Sequence, residues 1–262
     1  MRSAQKEQLQ SYFQNNYQYE IPFFQRSYVW EEENWELFIE NLEEEVIKFK
    51  QKDESEHFIG TIITKPLEQQ GFDVVKHELI DGQQRLTTVT IMIKALADTS
   101  KGDYENLKSN LISFLEFKDT QNKKYYRLIH SKLDRPHFEK VMRINHDGNK
   151  IIEAKHQIEK AYNFFVNKFS DLSDQDRDTY SKVLLNKLPI IAMFLSENDD
   201  EQEIFDTINS LGVRLTIAEL LKNYIFRDDE LKPSYEEYWF QLFESEQEDV
   251  DFWNDAKTSG RI

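Results

Sequence analysis

A chain of 262 residues with 13% aromatic side chains can bury a substantial core despite a formal charge of −16, because disordered chains are poor in aromatics. The absence of cysteine excludes a disulfide scaffold, a thiol nucleophile and zinc sites built on thiolates. Seven glycines and five prolines are too few for a sandwich or barrel full of tight turns, and no apolar run approaches the roughly 20 residues of a membrane span.

The N-terminal MRSAQKEQLQSYF lacks an apolar signal-peptide core, so a soluble, cytoplasmic protein with no membrane partner is expected. Residues 3–16 predict a helix, and Pro22 forces an extended chain around Tyr19–Pro22. From Glu31 to about Lys50 the residues Trp35, Phe38, Leu42, Val46 and Phe49 recur at helical steps, predicting one buried face. The consecutive Glu43, Glu44 and Glu45 read as solvated. HFIGTIITK, residues 57–65, predicts a strand, with 72–80 as its antiparallel partner. Thr87 to Ala97 returns to a helix.

Beyond residue 100 the pattern is mostly helical, near 103–116, 135–143, 151–169, 174–186, 199–210, 216–227, 233–245 and 248–258. Tyr125–His130 and Leu188–Leu195 read as extended interruptions. A boundary at Ser100-Lys101-Gly102 divides the chain into 1–100, a small sheet-bearing lobe, and 101–262, a helical subdomain. The fold class is α+β. Charge is uneven: residues 31–56 hold eleven acids against three lysines, whereas 118–168 carry twelve Lys/Arg against six Asp/Glu. The acidity argues against a general nucleic-acid coat and leaves that middle block as the candidate electrostatic footprint.

Three segments stand out chemically. In LIDGQQRLTTVT, residues 79–90, a strand gives way to a helix through Asp81-Gly82. A helix start presents unpaired amides and partial positive charge, which favours phosphate. Arg85 adds a planar cationic fork, Thr87 and Thr88 add hydroxyls, and Gly82 permits close approach. Asp81 either caps the helix or holds magnesium beside phosphates. Each residue also has a plain structural reading, as cap, turn or salt-bridge partner. In IPFFQRSYVW, residues 21–30, Gln25 and Arg26 sit among aromatics that either form core or stack on a base beside a phosphate-binding cation. In FDTINSLGVRLTIAELLKNYIF, residues 205–226, caps at Gly212 and Thr216 explain most of the pattern, leaving Asn209, Lys222 and Asn223 as secondary candidates. The six histidines show no metal spacing, and there is no Walker-type loop.

Together IPFFQRSYVW, HFIGTIITKP, ELIDGQQRLTT, YYRLIHSKLDRPHFEKVM, FDTINSLGVRLTIAELLKN and FWNDAKTSGRI resemble the N-terminal domain of the GmrSD-type modification-dependent restriction proteins, across about residues 17–261. The resemblance implies a ParB/sulfiredoxin-like core followed by a helical region. It also implies NTP binding and hydrolysis, GTP or ATP with Mg2+, in anti-phage defence against modified DNA. The partners implied are modified DNA and a His-Asn-His nuclease domain, C-terminal or separate. That domain has no counterpart before Ile262, so the expectation is either a chain cut short of it or a separately encoded subunit; a homodimer is left open. Carried over, Asp81, Gln83, Gln84 and Arg85 are the expected catalytic residues, with Asp81 also the metal ligand. Gly82, Arg85, Leu86, Thr87 and Thr88 would bind nucleotide, and Phe24, Gln25, Arg26 and Tyr28 nucleotide or modified DNA. Asp81 or Gln84 would orient the attacking water. Two other readings compete: a non-catalytic module regulating a partner nuclease, and a DNA nickase.

Overall fold

In the computed structural model, residues 3–68, 74–100, 105–144, 151, 153–196, 199, 222, 225–226, 229–246 and 249 are described. The chain divides into two compact units, Met1–Ile21 with Tyr28–Asp199, and Pro22–Ser27 with Asp200–Ile262. The boundary expected near residue 100 lies inside the first unit. Architecture is mixed α and β, as the α+β reading expects.

The first unit is built on a sheet of six strands in the order β1-β8-β3-β4-β2-β7. These are β1 (Ser3–Glu7), β2 (Tyr17–Glu20), β3 (Thr61–Pro66), β4 (Val75–Asp81), β7 (Leu128–Ile129) and β8 (Ile190–Phe194). A separate antiparallel ribbon joins β5 (Glu116–Lys118) to β6 (Lys124–Tyr126). β3 is rich in β-branched residues, and Ile62, Ile63 and Thr64 are all buried, which marks a strand covered on both faces. It pairs antiparallel with β4, as predicted, and parallel with β8. β4 and β2 run parallel, so β4 lies between β3 and β2 and carries Asp81 to the sheet's margin.

The helix predicted over 3–16 is corrected. Ser3–Glu7 forms an edge strand on β8, and helix α1 (Leu9–Gln14) begins only where Leu9, Tyr12 and Phe13 supply a buried face. Residues 3–7 favour helix by composition but offer it no apolar stripe, so ladder pairing prevails. Helix α2 (Glu32–Lys50) is held at its start by reciprocal bonds between Glu31 and Asn34. It buries Trp35, Phe38, Ile39, Leu42 and Val46, whereas Phe49 is exposed. Glu45, expected in solvent, is buried with one carboxylate oxygen 2.6 Å from Lys48 Nζ.

Helix α3 (Gln83–Thr99) is buried on every side except at Arg85. Its polar Lys94 is bonded to Asp98 and, at 3.0 Å, to the Ile144 carbonyl, and Tyr162 donates to Asp98 at 2.7 Å. Around it pack α4 (Glu105–Ser113), α6 (Gln157–Ser170) and α7 (Asp174–Asn186); α5 (Arg135–Arg143) packs on α6. α5 and α7 match their predicted limits. α6 begins six residues later than expected, at Gln157, where the His156 ring caps it by accepting from Ile158 N.

In the second unit, α8 (232–243) contains a π-wound stretch, Tyr235–Trp239. The helices predicted near 199–210, 216–227 and 248–258 lie outside the described residues but for isolated positions. Among the described residues, no helix is long and apolar enough to cross a membrane.

Candidate functional site

β4 ends at Asp81, and Gly82 turns the chain into α3 with φ 94° and ψ 11°, a left-handed conformation that favours glycine. A methyl placed on Gly82 would lie 2.9 Å from the Thr61 carbonyl oxygen and 3.1 Å from Ile62 Cα. The glycine is therefore required by β3, against which the turn is pressed; the expectation that it makes room for a ligand is not needed to explain it.

Arg85 is half-buried. Its Nη1 donates to the Thr61 carbonyl, and its guanidinium lies over Gly60, where an added Cβ would come within 2.7 Å of Cζ. Among the described residues it has no carboxylate within ion-pair distance. Burial pushes its pKa down and the charge of Asp81 opposes the shift. An arginine starts so high that it stays cationic. Among the described residues this half-buried cation has one carbonyl hydrogen-bond partner, an uncommon arrangement because charges withdrawn from water are normally paired.

Both glutamines are buried. The Gln84 side-chain amide oxygen, Oε1, accepts from Val29 N at 2.8 Å and from Trp30 N at 3.3 Å, so it fastens the end of the aromatic segment to α3. That oxygen is thereby committed. Leu86, Thr87 and Thr88 are fully buried, and Tyr28 nearly so. Leu86 belongs to the core. Thr88 donates to the Gln84 carbonyl at 2.8 Å, which leaves its oxygen to accept from the Tyr28 hydroxyl at 2.7 Å. Tyr28 in turn accepts from Trp35 Nε1 at 2.8 Å. Hydrogen-bond direction is thus fixed from Trp35 to Tyr28 to Thr88 to Gln84. These residues, expected at a ligand, are placed inside the fold because helical spacing turns them toward α2 and the core.

Thr87 leads to a group that sequence reasoning missed. Its hydroxyl lies 3.1 Å from His130 Nε2, and His130 Nδ1 lies 3.4 Å from Asp134 Oδ2. His156 Nε2 lies 3.3 Å from Asp134 Oδ1, and Asp134 Oδ2 accepts from Tyr28 N at 2.8 Å. The two histidine contacts are at ion-pair distance without full hydrogen-bond alignment. Burial pushes the Asp134 carboxyl up, but His130 and His156 outweigh it and hold its pKa at about 2. His137 stacks on His156 at 4.1 Å and bonds Glu159 at 2.8 Å. The i,i+4 spacing of His130 and Asp134 was visible in IHSKLDRPH; the approach of Thr87 and His156 was not. Among the described residues no group of three or more His, Asp or Glu could hold a metal ion.

Phe24, Gln25 and Arg26 belong to the second unit and are half-buried. Gln25 N donates to the Pro22 carbonyl at 3.1 Å, and Phe23 packs edge-on against Phe24 and Tyr235. Lys222 is buried in the same unit. Its Nζ lies 2.7 Å from Glu244, which also accepts from Tyr235 and Trp239. That pairing accounts for Lys222 structurally. Asn209 and Asn223 lie outside the described residues.

A mixed sheet with a strand–glycine–helix corner bearing Asp81, Gln83 and Arg85 defines an α+β domain with an anion-compatible corner. The sequence model of the family described as GmrSD restriction endonuclease, N-terminal domain, matches residues 9–226. The chain belongs to that family, and its role is accordingly in DNA restriction. No curated protein matches it.

Proposed function

We propose that this domain binds and hydrolyses a nucleoside triphosphate at the Asp81–Arg85 corner and serves as the sensor of a restriction system directed at modified DNA. The observation that carries this reading is Arg85, a half-buried cation at the head of α3 whose hydrogen-bond partner among the described residues is the Thr61 carbonyl. A phosphate there would pair with the guanidinium, with the helix dipole adding to the attraction.

Within this reading Arg85 and the backbone beside Gly82 hold the phosphates. Asp81, at the end of β4, is the carboxylate for magnesium, which typically takes one or two carboxylates together with phosphate oxygens and water. Bound magnesium would neutralise charge on the phosphates. The Gln84 side-chain amide oxygen is engaged by Val29 and Trp30, so in this reading Asp81 or Gln83 orients the water. Thr87, Thr88 and Tyr28 brace α3 from behind. Gln25 and Arg26, in the second unit, read the DNA mark in this reading. Cleavage is assigned to a His-Asn-His nuclease partner. The nucleotide in this reading is GTP or ATP.

The test is phosphate release by the purified protein beside Asp81→Ala and Arg85→Ala. Loss of turnover in both, with unchanged melting curves, supports the assignment; undiminished turnover in both removes it. The engagement of Gln84 favours one second reading, a nucleotide-binding regulator without catalysis. Tight binding with no phosphate release would select that alternative.

A further inference from the structure

The basic block at residues 118–168 acquires a definite surface in α5. Arg135, Pro136, Glu139, Lys140, Arg143 and Ile144 line an open groove of about 650 Å3 along one side of this helix. Three cations line it with one carboxylate, and with Glu159 at Lys140 counted the local excess is one positive charge on a chain whose balance is −16. None of the three cations dangles freely. Arg135 Nε donates to the His130 carbonyl at 3.2 Å, Lys140 reaches Glu159 at 3.0 Å, and Arg143 reaches Glu139 at 2.6 Å. Each guanidinium or ammonium is thereby oriented while keeping donors for a further anion, since arginine carries five and lysine three.

Spacing indicates what the anion is. Arg135 and Arg143 stand eight residues apart, about 12 Å along the helix axis. In duplex DNA each strand presents a phosphate about every 3.4 Å of axial rise, so the row spans about three or four successive phosphates. A single small anion would engage only one end. The chain's net negative charge disfavours a polyanion over the acidic parts of its surface.

We propose that the α5 groove seats the phosphate backbone of one strand of duplex DNA, providing sequence-independent affinity separate from any reading of modified bases. The inference rests on the restriction role of the family and not on nucleotide hydrolysis. Contacts of this kind position a protein on DNA and carry its salt dependence.

The experiment is fluorescence anisotropy of a short labelled duplex with the full chain across a salt series. Wild type is compared with Arg135→Gln/Arg143→Gln, and with Lys182→Gln on α7 as the control. The double variant should bind modified and unmodified duplexes more weakly to the same degree. Its slope of log affinity against log salt should be shallower by about 1.8, or about 0.9 for each phosphate contact removed. Lys182→Gln should match wild type. If the double variant fails to fold, Arg143→Gln alone carries the test with a slope change of about 0.9, because that side chain is 68% exposed. A slope unchanged in the variants overturns the proposal, as does a wild type that binds no duplex. It is also overturned if polyglutamate, in place of DNA, is the polymer whose binding the double variant loses. A nucleotide-induced rise in melting temperature, abolished by Arg85→Ala, is recorded in parallel. Persistence of that rise beside a failed slope test separates this proposal from the nucleotide reading.

Discussion

Tyr28→Phe separates the architecture derived above from the expectation that this tyrosine meets a ligand. The phenol oxygen is buried, accepts from Trp35 Nε1 at 2.8 Å and donates to Thr88 at 2.7 Å. Its removal deletes both bonds and leaves the Trp35 N–H without that acceptor, whereas Thr88 retains its bond to the Gln84 carbonyl. Two ordinary bonds are worth about 1 kcal/mol each, and an orphaned buried donor costs about 1–3 kcal/mol. The expected loss is therefore about 2–3 kcal/mol, or a fall in Tm of about 4–10 °C for a domain of this size. Thermal unfolding followed by circular dichroism measures it, with Trp35→Phe and the double variant completing a cycle. Coupling between the two positions should be evident, since each single change breaks the same bond. A variant that melts with wild type but no longer binds nucleotide or DNA would refute the reasoning and put the hydroxyl at a ligand.

Four further expectations follow from the same structure. Gly82→Ala, forced to a φ of 94° with its methyl 2.9 Å from the Thr61 carbonyl oxygen, should lose about 3 kcal/mol in urea unfolding. Gly60→Ala, forced to a φ of 115° and pressed against the flexible end of Arg85, should lose stability in the same urea unfolding as well as weaken nucleotide binding. Lys94→Met leaves Asp98 buried without its cation and should cost about 3–5 kcal/mol by chemical denaturation, with Lys94→Met/Asp98→Asn recovering part of the loss. Asp134 has a carboxyl depressed from 3.8 to about 2, so its stabilisation is present above the higher value and disappears as pH falls toward the lower one. Asp134→Asn should cost about 2 kcal/mol at neutral pH and flatten the stability profile over that acid interval.

The elements most legible in the sequence were those whose period or punctuation is local. The apolar stripe from Trp35 to Val46, the cluster of β-branched residues at 61–64 and the Asp81-Gly82 turn each declare their structure within a few residues. Ser3–Glu7 was not legible as a strand because its partner is β8, far along the chain. At the site, the location of the DGQQR corner could be read, since a glycine between strand and helix has few alternatives. The direction in which each side chain points could not. Gln84, Thr87, Thr88 and Tyr28 are polar in composition, but each is bonded to a partner distant in sequence: Val29, His130, Tyr28 and Thr88 respectively. Spacing alone cannot say whether a polar group faces a ligand or a neighbouring helix.

The central claim is met most directly by a crystal structure of the protein with a non-hydrolysable nucleoside triphosphate and magnesium. The account predicts phosphate oxygens about 2.8 Å from the Arg85 guanidinium, at the amino end of α3 with the Asp81 carboxylate on the metal side. A ligand bound away from that corner, with Arg85 still resting on the Thr61 carbonyl, would contradict it.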